Sequence, residues 1–469
     1  MTKKVEKEQL KINLESLVND TAEKKIELLN SLASEDLADI YIKYIVRLIA
    51  DEDKGVRNAT SMLILSNRNP RFPYFLLPYV KSEVISVRNL AGEILIRLGS
   101  LSVDPIIQFD CNNNVDYLKF LIDILGLIGD QRAALYVMGV LSSTDNENVI
   151  LACIEALGNM CYRESVDVLM LFYDRNELFK PTIVEALGKM GSREALGFLI
   201  SRFTEEDELT KYSILESLGK IGDMETYFFL IEQTNDIGGT LTLPLITSIS
   251  TLREKYNLDI PFDNRMKKLL LYALNEGTLE NKKSTFSLID SFDDKDILYA
   301  SLCLLGQDYE LDDMIKSKIL YNTDYIFSEI TRIISDKPQN LRHVLNLFLE
   351  VIRYAEESQT EIKITELGLK NIIYSASSLL SHHDEEIRKL SMEILFKLDA
   401  ESALLFIDSM LNDENPWNRM GLLEILERMP AHQSESAIQK LTEDPDEMVR
   451  ERAQFASASI LNNETEKPN

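Results

Sequence analysis

A basic residue recurs every 31 positions in two stretches of this chain, and that spacing restricts the fold more than any other feature. Arg57, Arg88 and Lys119 stand 31 residues apart, as do Arg388, Arg419 and Arg450 nearer the C-terminus. Several open a run of apolar and small residues, as in Val56-Arg57-Asn58-Ala59 and Val87-Arg88-Asn89-Leu90-Ala91. A second marker keeps a similar beat: Leu98-Gly99, Ile128-Gly129, Met190-Gly191 and Ile221-Gly222 each close such a run. An inner glycine also recurs, at Gly126, Gly158, Gly188 and Gly219. Three of these lie in near-copies: Glu155-Ala156-Leu157-Gly158, Glu185-Ala186-Leu187-Gly188 and Glu216-Ser217-Leu218-Gly219. A fixed period of roughly 20–50 residues implies a stack of supersecondary units. At 469 residues the chain exceeds the about 250–300 that one core supports, which a stack explains.

The repeating unit reads as a pair of helices. Leu118, Leu121, Ile122, Leu125 and Ile128 form one wide apolar stripe at helical spacing. Leu135, Val137, Met138 and Leu141 suggest a shorter partner helix. No sustained alternation and no Asn-Gly or Asp-Gly turn points to strands. Asp53, Asp145 or Asn146, and Asp384 are candidate N-caps, and Thr204 could cap the helix entered through Glu205-Glu206-Asp207-Glu208. Gly129, Gly191 and Gly222 stand where a left-handed C-terminal residue belongs, and Pro181 and Pro416 stand near helix starts. The expectation is an all-α fold: a right-handed α-solenoid, or superhelix, of stacked antiparallel helix pairs.

These marks resemble the HEAT family, specifically the short bacterial HEAT repeats also found in phycobilisome lyases. The resemblance rests on Asp53 to Ala59, Ala156-Leu157-Gly158, Ala186 to Gly191, Leu218 to Asp223 and Asp446 to Ala453. It implies an N-terminal helical cap over 1–35, regular repeats over 36–239 and C-terminal repeats over 384–461. Residues 240–383 read as divergent helical repeats, because the Val-Arg and Leu-Gly marks are missing there. The polar stretch 462–469 reads as a disordered tail.

Charge narrows the partners. Fifty Lys and Arg against 77 Asp and Glu give a net charge of −27, which disfavours nucleic acid and anionic membranes and suits a basic protein partner. Neither a secretory leader nor an uninterrupted apolar span is evident. The four cysteines lack C-x-x-C spacing, so reduced thiols and a cytoplasmic location are expected.

One acidic position repeats on the second helix of each pair: Glu93, Asp123, Glu155, Glu185 and Glu216, with Glu393 and Glu424 as C-terminal equivalents. In solenoids of this kind second helices line the concave side, so the row would face a groove. Arg97, Lys189, Lys220, Lys397 and Arg428 stand four residues after Glu93, Glu185, Glu216, Glu393 and Glu424, an arrangement that favours local pairs. Asp123 and Glu155 have Leu127 and Asn159 there instead, which leaves both open to a basic partner. Trp417, the only tryptophan, opens a second helix. Packing between repeats is its default reading, and an exposed anchor would be a binding hot spot.

No catalytic motif appears. G-x-S-x-G, a Walker A loop and H-E-x-x-H are absent, and the Asp runs lack calcium-loop spacing. Deoxyhypusine hydroxylase, an enzyme of similar repeats, uses His-Glu pairs for iron; this chain has none, and His382-His383 reads as a loop pair. The expectation is a non-catalytic interaction scaffold without cofactor or metal. The alternatives are a phycobilin-lyase-like chaperone that handles a ligand and, further off, a HEAT-based enzyme.

Overall fold

A computed structural model describes residues 20–465 apart from 34, 36, 112, 113 and 261, with side chains described up to 458. Among these residues the regular structure is helical and no strand occurs. Residues 1–19 of the expected cap and 466–469 of the expected tail lie outside the described residues. Residues 462–465, expected to be disordered, continue the last helix, which ends at Thr465. Contacts divide the chain into two compact units. One runs to Glu232 and adds Lys255–Asn257; the other takes Gln233–Glu254 and Leu258 onward.

The first unit is built on seven helices: α1 (Ala22–Ser31), α2 (Lys54–Asn67), α3 (Ile85–Leu98), α4 (Val115–Ile128), α5 (Glu147–Asn159), α6 (Lys180–Met190) and α7 (Glu208–Ile221). Each packs on the next in a continuous layer. Shorter helices alternate with them in sequence and also touch one another, as Asp39–Arg47 touches Phe72–Leu76 and Val166–Phe172 touches Arg193–Arg202. The apolar stripe explains the layer. In α4, Leu121, Ile122 and Leu125 are buried, and so is Ile124, because the helix has neighbours on more than one side.

Side-chain caps start the helices. Asp53, Asn114, Asn146 and Asp207 accept from Val56, Tyr117, Val149 and Thr210 amides at 2.8–3.2 Å. Thus Asn146, not Asp145, caps α5. Asp207, not Thr204, caps α7, because Thr204 sits in a preceding 3₁₀ turn. Gly129 and Gly191 adopt φ of 70° and 62° and end α4 and α6 in the left-handed conformation. Gly222 does not: its φ is −60°, so the chain leaves α7 extended. Gly126 and Gly158 serve packing. A Cβ on either would lie 2.8 Å from the Cα of Ala156 or Ala186 on the next helix.

In the second unit the divergent segment keeps two alternating layers. Asn264–Glu276, Lys295–Leu302, Asp324–Asp336 and Glu366–Ser378 stack in succession. Leu279–Leu288, Tyr309–Tyr321, α8 (Leu341–Ser358) and α9 (Glu385–Leu398) form the other layer, continued by α10 (Pro416–Leu426) and α11 (Glu447–Thr465). No described helix is long and apolar enough to cross a membrane.

At four of the six recurrent positions the base is a strut. Arg57, Arg388, Arg419 and Arg450 each donate to the carbonyl six residues back, at 2.6–2.9 Å. Arg388 and Arg419 also grip the Asp413 and Asp444 carboxylates with two hydrogen bonds each, at 2.7–3.0 Å. Lys25–Asp51 at 2.7 Å and Lys180–Glu206 at 2.9 Å repeat this base-to-acid contact. All eight side chains are at most 12% exposed, so these pairs lie inside the stack.

Candidate functional site

The acidic row is assembled by close helix packing in the first unit. Glu93, Asp123, Glu155, Glu185 and Glu216 occupy α3 to α7, one per helix. In α4, α5 and α6 the acid precedes by one turn the glycine that admits the next helix, where Gly126 meets Ala156, Gly158 meets Ala186 and Gly188 meets Ser217. That spacing holds the acids on neighbouring helices close together. Asp123 is half-buried and the other four are exposed.

Their pairing differs from the sequence expectation. Glu93–Arg97 at 3.6 Å and Glu185–Lys189 at 2.7 Å form as predicted. Asp123 is not open: Lys119, four residues before it, binds its carboxylate at 2.7 Å. Only the residue four after Asp123 had suggested an unpaired acid. Glu216 and Lys220 do not reach each other, and neither do Glu424 and Arg428. Glu393 pairs with Arg353 on α8 at 2.7 Å while Lys397 turns to Glu356 on the same helix. Partners on the adjacent helix win because a local pair is worth only ~0.2–0.5 kcal/mol.

Glu155, Glu216 and Glu424 are thus left without an ion pair among the described residues, and Glu155, which is exposed, also lines a cavity. On one side Lys119 neutralises Asp123; on the other Lys189 bridges Glu185 and Asn159, at 2.7 and 2.8 Å. Between them lies a cavity of about 260 Å³ lined by Lys119, Asp123, Leu127, Glu155 and Asn159 over Ala152 and Ala156. Leu127 is 63% exposed at its edge. The arrangement offers one uncompensated carboxylate beside an apolar shelf, which matches a Lys or Arg side chain: the stem lies on carbon and the head meets the charge. Next to Ala152 in the chain, the Cys153 thiol is pushed up to about 12, by burial first and the Asp123 charge second.

Trp417 lies elsewhere, in the second unit. It is 66% exposed at the second position of α10, so the packed reading is overturned. The asparagine cap fixes this: Asn415 Oδ1 accepts from the Trp417 amide at 2.8 Å, which starts the helix with the indole pointing outward. The structure therefore brings Asp123 and Glu155 together, extends the row through Glu93, Glu185 and Glu216, and keeps Trp417 in a separate unit.

His382 and His383 stack with ring centroids 4.2 Å apart, and His382 Nδ1 accepts from the Asp384 amide. No set of three or more His, Cys, Asp or Glu side chains among the described residues is arranged to hold a metal ion. A second cavity, of about 420 Å³, has Phe109, Cys111, Tyr136 and Val140 in its wall, and burial raises the Cys111 thiol. The recurrent Arg reads from sequence as bonding a carboxylate or carbonyls of the adjacent turn in a structural ladder, and Arg57, Arg388, Arg419 and Arg450 do so. Which acids are gripped, and the like pairs of Lys25 and Lys180, were missed. Their signal is a base followed 25 or 26 residues later by an acid just before a helix cap. No family model matches the chain, and no curated protein matches it.

Proposed function

We propose that this chain is a HEAT-type α-solenoid of about 31-residue period that acts in the cytoplasm as a non-catalytic protein-binding scaffold. Its acidic row on α3 to α7 takes a basic segment of a partner, with Glu155 as the central contact. The supporting observation is the Glu155 cavity: a carboxylate without a counter-ion, between two neutralised neighbours and next to exposed Leu127. Each stacked helix adds one acid to the row, and a solenoid presents such repeated positions as one extended binding surface. Compact helices joined in sequence order, with the 31-residue spacing of caps and struts, support the repeat reading.

The test uses a fluorescein-labelled dodecapeptide rich in Lys and Arg and reads anisotropy. Asp123→Lys with Glu155→Lys should weaken binding roughly tenfold while the circular dichroism melt stays unchanged. Glu164→Lys with Glu194→Lys, the same charge change on exposed acids of the other layer, should leave it intact. Equal weakening by both double variants would show bulk attraction only and would sink the groove.

A further inference from the structure

Three helix starts in the second unit carry the same construction with different side chains. Asp384, Asn415 and Asp446 each accept from the amide two residues on, at 2.8–3.0 Å. Those amides belong to Glu386, Trp417 and Met448, each the second residue of its helix, 31 apart in sequence. α10 packs on α9 and on α11, so the three side chains form a row across neighbouring helices. Packed helices stand about 8–10 Å apart, which sets the step of that row.

The row is built for contact. Trp417 is 66% and Met448 39% exposed, and the Trp417 indole N–H makes no hydrogen bond among the described residues. Both types are enriched at binding interfaces. The surroundings are acidic. Glu385, Glu414 and Glu447 are exposed around the same helix starts. Three bases of this region are engaged: Arg388 and Arg419 are buried in their carboxylate pairs, and Arg342 faces Glu386 at 3.8 Å. Half-buried Lys389, one turn after Glu386, makes no ion pair among the described residues. Arg450 donates to the Asp444 carbonyl.

We propose that the Glu386–Trp417–Met448 row docks an arginine-bearing segment in polyproline II conformation. That helix has three residues per turn and rises ~3.1 Å per residue, so every third side chain returns to one face after about 9 Å. This step fits the spacing of packed helices, whereas a β-strand repeats on one face every ~6.4–6.8 Å and falls short of it. An apolar residue meets Met448. An Arg three residues away stacks its planar guanidinium on the Trp417 ring, with Glu414 and Glu447 supplying negative charge nearby. A second base, three further on, meets Glu386 in competition with Arg342. The surface is independent of the acidic row in the first unit.

The sole tryptophan reports on its own site. The probe is the acetylated, amidated heptapeptide Leu-Pro-Pro-Arg-Pro-Pro-Arg, which has no fluorescence of its own in the tryptophan window. Titration should change Trp417 emission saturably. Replacing both peptide Arg by Gln should weaken binding at least about tenfold, and replacing the prolines by Gly should also weaken it. Trp417→Leu, read by anisotropy of the fluorescein-labelled peptide, should bind no better than the Gln peptide binds wild type. Its melt should be unchanged, because the residue is exposed. Asp123→Lys with Glu155→Lys should leave this titration as in wild type, so failure of the acidic-row reading would be seen separately. No saturable change at the solubility limit of the peptide, equal affinity for the Gln peptide, or wild-type affinity in Trp417→Leu would each overturn the proposal.

Discussion

Arg419 ties the turn before α10 to the turn before α11 with one side chain. It donates to the Asp413 carbonyl and grips the Asp444 carboxylate, and the pair is almost fully buried. Burial by itself would raise the Asp444 carboxyl. The Arg419 hydrogen bonds, the Asp446 amide and the charges of Arg419 and Arg450 outweigh it, and the result lies below the usual carboxylate value. Asp413, beside Arg388, is lowered for the same reasons. A carboxyl depressed in the folded state adds stability that is complete above the unfolded value of about 3.9 and is lost as pH falls through the folded value. The melting temperature should therefore drop steeply below about pH 4. Asp444→Asn, which leaves a buried guanidinium without its counter-charge, should cost about 3–5 kcal/mol at pH 7 and weaken that acid dependence. Urea titrations at pH 7 and pH 3.5 measure both. A variant as stable as wild type at pH 7 would mean that Arg419 finds another partner.

Glycine has two opposite uses in these helices. At Gly158 a methyl group would strike the backbone of Ala186, which cannot rotate away. At Gly139 and Gly197, inside Ala134–Ser143 and Arg193–Arg202, nothing lies within 4 Å. Gly158→Ala should destabilise the first unit by roughly 1–3 kcal/mol through overpacking, despite better helix propensity. Gly139→Ala and Gly197→Ala should each stabilise it by about 0.4–1 kcal/mol. Urea midpoints separate the two groups, and a stabilised Gly158→Ala would show that α5 and α6 can move apart. Element positions were legible because apolar spacing, caps and terminal glycines act within a few residues. Pairing was less legible. The local spacing of Glu393 and Lys397 predicts one pair, yet α8 offers each a better partner.

Across the whole molecule, −27 charges repel one another. Most are carboxylates on exposed helix surface, where salt screens over about 8 Å at physiological strength. Raising sodium chloride from 20 to 200 mM (roughly a threefold shorter screening length) should lift the melting temperature by a few degrees. A flat or falling melt would mean that buried pairs, not surface repulsion, dominate the charge response. The sequence alone determined the helical class, the alternation of helices and the existence of an acidic row, because all three follow from residue spacing along one helix or one repeat. Tertiary structure decided which acids keep a free carboxylate, that Lys119 takes Asp123, that bases reach acids 25 or 26 residues on, and that Trp417 faces outward. Those outcomes depend on how far apart and at what rotation neighbouring helices pack, which no spacing within a single helix encodes.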